Sequence, residues 1–471
     1  MHTSHVAEQG MFRTGGIMKM IFGHIVSLTT LLIFVSCGKE LTEVNSAPAT
    51  QDQAGIIAAC ATVEQAREYA STNNARFRIL NAKRKLIEFY DTDVETLKKS
   101  IPNVKTKSNI VYEYQLVQSA QTEIQSAGDY QYYGPHKPYY RQGDVTRYFP
   151  HLNQIDAADL SVMGEGVTIA VVDTGIHYNH PHISPNIKVN TRDGHGSSGD
   201  GRDNDGNGFV DDYAGWDFYN GDQYPMDDHG HGTHVAGLAA GTFGGVAPKA
   251  KVLPVKVLNS QGRGDLATIA AGILYAIDMG VDIINLSLGG PGAGQANADI
   301  QALLGSVISA KENNVLLVAA AGNGGVDGLG DCNDANPVYP ASFDQENIIS
   351  VASVDRYNYL TSYSNFGSES VHVAAPGGDS YFGGLLSLGV PSCYGPCPDS
   401  EQTYANMSGT SMAAPVVAGI AALVKSVNRN LNYKDIKKIL MEQGDFEESL
   451  RDKVKSSKVV NALMAVREAT N

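Results

Sequence analysis

Short apolar runs separated by helical periodicity constrain this chain most. Residues 167–172, 252–258, 283–288 and 315–319 are compact apolar stretches of strand length. Helical patterns lie between them, and in 265–279 the residues Leu266, Ile269, Ile273 and Ile277 recur on one face. Buried strands joined by helical crossovers imply an α/β fold, a mainly parallel sheet with helices on both faces. Runs at 348–354 and 371–375 extend the core, and 433–441 and 459–468 read as closing helices.

Three segments carry chemistry. Gly409, Thr410, Ser411, Met412, Ala413, Ala414 and Pro415 take the chain from a loop into an Ala-rich helix over 412–424. Pro415 falls in the first turn of that helix, where its missing N–H breaks no hydrogen bond. Alone, Ser411 reads as an ordinary helix cap. Upstream, however, Val171, Val172, Asp173, Thr174 and Gly175 end a buried strand in an aspartate. His231, Gly232, Thr233, His234, Val235, Ala236 and Gly237 open another small-residue helix with a histidine. A serine hydroxyl is a poor nucleophile until an imidazole takes its proton, and that imidazole needs a carboxylate to fix its tautomer.

In the order Asp, His, Ser, these segments resemble the signatures of the subtilisin-like serine peptidases, over about residue 155 to the C-terminus. The resemblance implies an endopeptidase with Ser411 as nucleophile, His231 as general base and Asp173 as the orienting carboxylate. It also assigns the oxyanion donor to Asn323, within Ala320, Ala321, Gly322, Asn323 and Gly324, with the Ser411 N–H as second donor. A turn residue between glycines is the plainer reading of Asn323. Substrate would lie as an extended strand. One side is Ser287, Leu288 and Gly289, whose segment resembles the strand lining the primary pocket; the other is Gly262 and Gly264. Val338 falls near the pocket floor. The competing class is a catalytically silent relative that binds peptides or displays a surface domain.

His229, His231 and His234 invite a metal reading. No H-E-x-x-H occurs, the cysteines are scattered, and a zinc site would leave Ser411 and Asn323 without a role. The family pattern makes His234 structural and leaves His229 solvated.

The net charge of −15 argues against nucleic-acid binding. Much of the excess is local, from Asp200 to Asp228, which suggests a cation site. Asp203, Asn204, Asp205, Gly206, Asn207 and Gly208 have the D-x-D-x-N-G opening of a calcium loop. Ala214 stands where an EF-hand places glutamate, so Asp211 or Asp212 has to close the shell. Asp203, Asp205, Asn207, Phe209 and Asp212 are the candidate Ca2+ ligands, and a solvated acidic loop is the alternative.

The upstream third reads as export and maturation machinery. Met18 and Lys19 precede an apolar run over 21–35 that is short for a membrane span. Residues 1–17 read as an over-long start. Ser36, Cys37 and Gly38 resemble a bacterial lipoprotein cleavage site, with Phe34 in place of the usual leucine, and an ordinary signal peptide is the alternative. Residues 1–37 are thus a signal peptide, with membrane attachment through a lipidated Cys37. Residues 38–125 hold a tether (38–60) and a small α+β segment. That segment, with strands at 85–90 and 110–117 around a helix at 93–100, resembles the propeptide that assists folding and inhibits such enzymes. Residues 126–471 are the peptidase domain, and maturation falls within 119–150. Cys37 and Cys60 precede the peptidase. Cys332, Cys393 and Cys397 leave an odd thiol, with Cys393–Cys397 as one pairing.

Overall fold

The computed structural model describes residues 148–471 apart from 194–198, 292–297, 326, 380–382 and 391–402, together with residues 30–31 and segments between 56 and 126. Cys37, Cys60, Cys393 and Cys397 lie outside the described residues. Cys332 carries a free thiol.

Nine strands form the central sheet. They are β1 (Thr168–Asp173), β2 (Trp216–Asp217), β3 (Lys251–Lys256), β4 (Ile283–Leu286), β5 (Leu316–Ala320), β6 (Ile348–Val354), β7 (Val373–Pro376), β8 (Gly444–Phe446) and β9 (Lys458–Val460). Their spatial order is β8-β9-β7-β6-β5-β4-β1-β3-β2. All neighbours run parallel except β8 and β9. Six helices matter here: α1 (His231–Ala240), α2 (Leu266–Asp278), α3 (Ala298–Glu312), α4 (Thr410–Val427), α5 (Tyr433–Glu442) and α6 (Ala462–Ala469).

The strands are apolar throughout because both sheet faces are covered. On β1, Ile169 and Val171 pack into the core that holds α1 and α4. Ala170 and Val172 point the other way, into the core that holds α2 and α3. Helix α4 is long and apolar enough to cross a membrane by length and composition, but 83% of it is buried as the central helix of the fold.

Four sequence expectations need correction. The helix expected over 459–468 splits: Val459 pairs with Ala374 of β7, and Asn461 then caps α6 by accepting the Met464 N–H. Helix α2 is buried all round from Leu266 to Ile277 rather than on one face, because a strand upstream, Arg76–Asn81, also packs on it. The tether expected over 38–60 contains a strand, Ile56–Ala59. Helix α4 begins at Thr410, so Pro415 is its sixth residue and lies inside it rather than in its first turn.

The upstream unit is a small α+β layer. Strands Ile56–Ala59, Leu86–Tyr90 and Arg76–Asn81 form an antiparallel sheet with Leu86–Tyr90 in the middle. Helices Val63–Asn73 and Val94–Ser100 cover it through Tyr69, Ile87, Phe89 and Leu97. The first helix and the strands flanking it escaped the sequence reading, which saw a pattern only from residue 85. Of the strand expected over 110–117, Tyr114–Gln115 lies within the described residues and is a two-residue ladder, as is Ser108–Asn109 just upstream. Of these, Tyr114–Gln115 pairs antiparallel with Arg263–Gly264. Ala120–Ser126 then pairs antiparallel with Thr403–Ser408, the strand that leads into α4.

Candidate active site

Strand order reverses around β1, whose neighbours β3 and β4 follow it to opposite sides. In open α/β sheets such a point leaves a crevice at the carboxyl ends of the strands. Asp173 is the last residue of β1 and is fully buried. Its Oδ1 accepts the Thr174 N–H at 2.7 Å and faces His231 Nδ1 at 2.7 Å. His231 is the first residue of α1 and is also fully buried. Its Nε2 has no hydrogen-bond partner among the described residues. A buried polar atom left that way costs about 1–3 kcal/mol, so the imidazole keeps one ring nitrogen open to accept a proton.

Asp227 and Lys256, which the sequence reading passed over, join the two segments. Asp227 accepts from the Thr174 hydroxyl and from the N–H groups of His229, Gly230 and Thr233, as well as the Thr233 hydroxyl. Burial pushes this carboxyl up, but those donors outweigh it and hold it below its usual range. The Gly232 N–H returns to Thr174 Oγ1 at 2.9 Å, tying α1 to the end of β1. Lys256 is buried, with Nζ donating to the carbonyls of Thr174 and Leu258 and to Asp228 Oδ1. A lysine inside an apolar run was the available signal, because a buried ammonium needs partners.

Ser411 is the second residue of α4 and is fully buried. Its Oγ donates to the Ser287 carbonyl at 3.1 Å, while Ser287 Oγ donates to the Ser411 carbonyl at 2.7 Å. The second bond explains how Pro415 is tolerated inside the helix. Proline has no N–H for the carbonyl four residues back, and that carbonyl belongs to Ser411. Asn285 Nδ2 in turn donates to Ser287 Oγ at 2.9 Å. The Ser287 side chain therefore supports α4, and with Leu288 it is fully buried. Gly289 has Val338 for a neighbour: a Cβ there would stand 3.0 Å from Val338 Cγ1.

Asn323 follows β5. Its Oδ1 accepts both the N–H and the hydroxyl of Thr410, each at 2.8 Å. Gly409 has no side chain to cap α4, so Asn323 satisfies a donor the helix start would leave open. With Oδ1 so engaged, the amide orientation is fixed, and Nδ2 lies 2.9 Å from where a Cβ on Gly409 would be. Only glycine leaves that room. Behind Asn323, Asn365 Oδ1 accepts the N–H groups of Gly324 and Asp331, and Asn333 Nδ2 donates to the Ala321 carbonyl. Nothing in the sequence singled out Asn333 or Asn365.

The histidines do not converge on a metal. His234 is buried with Nε2 at 3.0 Å from the carbonyls of both Leu385 and Ala405, and burial pushes it down to about 3. His229 is half-buried rather than solvated.

In the acidic loop, Asp193, Asp203 and Asp205 place carboxylate oxygens within 4.8 Å of one another. Asp193 lies ten residues before the motif and was missed for that reason. Asp212 adjoins this group: its N–H donates to Asp193 Oδ2, Asn190 Nδ2 bridges its Oδ1 and Asp205 Oδ2, and its Oδ2 accepts from Asn207 and the Tyr275 hydroxyl. Asn207 Oδ1 accepts the Phe209 N–H, and the Phe209 ring packs against Trp216, Phe218 and Tyr275. Burial pushes Asp203 above its ordinary value, with Asp193 and Asp205 adding to it. The cation facing this group is Arg192, 3.9 Å from Asp205 and largely exposed. Three crowded, hard oxygen donors suit a divalent cation such as calcium.

Comparison with known proteins gives the family. The subtilase family model matches residues 164–459. Thermitase of Thermoactinomyces vulgaris is 36% identical over 304 residues, covering 63% of this chain and 88% of the relative. Subtilisin DY of Bacillus licheniformis is 35% identical over 280 residues, 58% of this chain and 82% of the relative. The crystal structure of fervidolysin from Fervidobacterium pennivorans, at 21% identity, covers 92% of this chain and 65% of its own, with a TM-score of 0.63, a likeness of fold. By the match over most of its length, the chain belongs to the subtilase family, the subtilisin-like serine endopeptidases.

Proposed function

We propose that this chain hydrolyses peptide bonds through Asp173, His231 and Ser411 by way of an acyl-enzyme. The buried Asp173–His231 contact at 2.7 Å, with Nε2 unpartnered, carries the reading. Ser411 Oγ leaves the Ser287 carbonyl, gives its proton to His231 Nε2 and attacks the substrate carbonyl carbon. Asp173 holds the Nδ1–H tautomer and stabilises the imidazolium. Asn323 Nδ2 and the Ser411 N–H receive the developing oxyanion. His231 then returns the proton to the leaving amine, and water repeats the cycle on the ester. Substrate backbone pairs with the edge at Gly262 and Gly264 and with the backbone of Ser287, Leu288 and Gly289.

The upstream unit serves as an intramolecular inhibitor. Two ladders support this: Tyr114–Gln115 occupies the edge at Arg263–Gly264, and Ala120 lies opposite Ser408, three residues before Ser411. Chain that pairs with Arg263–Gly264 and again with the strand leading into Ser411 competes with substrate for those edges, so maturation is placed between Gln115 and Ala120, at the upstream edge of the 119–150 stretch expected from sequence. Residues 1–37 act as an export signal, with Cys37 as the lipid anchor of the precursor. The test is hydrolysis of a generic protein substrate with and without a serine-directed inhibitor, together with N-terminal sequencing of the mature form. Inhibitor-sensitive cleavage and a new N-terminus within 116–120 are the expected results. Inhibitor-resistant cleavage would favour another mechanism, and a folded but inactive chain would favour the silent peptide-binding relative.

The acidic loop holds a structural calcium ion through Asp193, Asp203 and Asp205, with Asn207, Phe209 and Asp212 bracing or completing the shell. The ion would neutralise carboxylates that now crowd one another. Because it binds the folded chain alone, calcium at 100 times its Kd should add about 2.7 kcal/mol of stability. Chelation should lower Tm by several degrees, and Asp203→Ala with Asp205→Ala should blunt that response. An unchanged Tm between chelator and excess calcium would reduce the loop to a solvated surface.

A further inference from the structure

Residues 361–365 form a short loop that touches both arms of the oxyanion site. The loop is pinned to the end of β6. The Thr361 N–H donates to the Ser353 carbonyl at 3.0 Å, and the Ser353 N–H donates to Ser364 Oγ at 2.9 Å. On one side, Asn365 holds the segment after β5. Its N–H donates to the Gly322 carbonyl at 2.8 Å and its Oδ1 accepts the Gly324 N–H at 2.7 Å, on either flank of Asn323. On the other side, the Tyr363 hydroxyl reaches the turn after β7. It lies 3.2 Å from the Gly377 carbonyl and also contacts the Gly378 carbonyl, and both glycines are buried. The Gly377 carbonyl in turn accepts the Gly409 N–H at 2.9 Å.

The hydroxyl hydrogens follow from these partners. A phenol has one hydrogen and a carbonyl has none, so Tyr363 donates to the glycine carbonyls. Ser353 Oγ, 2.8 Å from the phenol oxygen, therefore donates to it. Burial pushes the phenol up to about 12, so it keeps its hydrogen across neutral pH. Gly409 is fixed at both ends. Its N–H sits on Gly377, and its carbonyl accepts the Met412 N–H at 2.9 Å and the Ala413 N–H at 3.3 Å as α4 begins. The packing around this link is close. A Cβ on Gly377 would stand 2.1 Å from Ser353 Oγ and 2.7 Å from the Gly409 carbonyl. A shift of the Gly377 carbonyl is therefore passed on to Gly409 rather than absorbed.

We propose that Tyr363 is a positioning residue for peptide hydrolysis, setting the spacing between Asn323 Nδ2 and the Ser411 N–H through Gly377 and Gly409. The assignment rests on the hydrolytic reading. The two donors come from different elements, the end of β5 and the start of α4. Asn323 Oδ1 holds Thr410 directly, and the Tyr363 loop holds the residue before it. The phenol takes no part in proton transfer.

Tyr363→Phe deletes the hydroxyl and keeps the ring. A 1 Å misplacement costs about 10²-fold, so a smaller shift should lower kcat on a chromogenic peptide about tenfold. KM should stay within about twofold, because the donors act as charge develops on the substrate oxygen. The pH profile should keep its shape. In an Asn323→Ala background the same change should cost less than about twofold, since the donor whose spacing it sets is gone. A role confined to stability would lower Tm in both backgrounds and leave the kcat losses additive. Ser353→Ala is the second variant, removing the donor that orients the phenol. It should lower kcat about threefold alone and add nothing to Tyr363→Phe. Wild-type kcat in Tyr363→Phe, or full additivity with Asn323→Ala, would overturn the assignment and leave the triad standing. A wild type without inhibitor-sensitive hydrolysis would overturn both.

Discussion

Ser411→Ala should leave a folded protein whose peptide hydrolysis falls by about 10⁶-fold, a magnitude that comes from subtilisin itself. No other hydroxyl stands in for it. The Ser287 side chain is occupied in bracing the Ser411 carbonyl, and Thr410 gives its hydroxyl to Asn323. His231→Ala should cost nearly as much, and the double variant little more than either, because the groups act as a unit. Asp173→Asn should also be severe, since a neutral amide beside His231 Nδ1 no longer fixes the imidazole tautomer or stabilises the imidazolium. Activity is read as kcat/KM on a chromogenic peptide and folding as Tm. If Ser411→Ala kept activity within tenfold of wild type at unchanged Tm, the nucleophile assignment would be wrong. The same variant should accumulate uncleaved between Gln115 and Ala120, because the bond that matures the chain is then its own first substrate.

Much of this arrangement is legible in the sequence because it rests on local rules. An apolar run ending in Asp173, a small-residue helix opened by His231 and a glycine-flanked Asn323 each declare backbone and chemistry within a few residues. Strand β6 matched its expected bounds because both its faces are core. What stayed hidden was set by distant partners. Asp227 looked like one more acid in a charged loop, yet five donors converge on it to join α1 to β1. Asp193 joins the carboxylate cluster only because the loop folds back over it. Val459 and Val460 fit a helical pattern until pairing with β7 drew them into a strand, a tertiary contact overriding local preference. Pro415 misled for a similar reason. Its effect on the Ser411 carbonyl is offset by Ser287, 124 residues away in sequence.

Asn323 is best tested with two substitutions, because its amide works at both ends. Oδ1 anchors Thr410 at the start of α4, and Nδ2 is turned toward the space that Gly409 leaves. Asn323→Ala removes both, so lost activity could come from a displaced helix start as well as a missing donor. Asn323→Asp keeps an acceptor for Thr410 but puts a carboxylate oxygen where the oxyanion forms. Removing one such donor costs about 10²–10³ in kcat, again a figure from subtilisin. The Ala variant should lose about that much and a few degrees of Tm. The Asp variant should lose at least as much kcat, since like charge now opposes the oxyanion, while Tm stays closer to wild type. KM should move little in either, because the contact strengthens only as charge develops on the substrate oxygen. An Asp variant within threefold of wild-type kcat would show that Asn323 serves α4 alone and that the oxyanion is held by backbone.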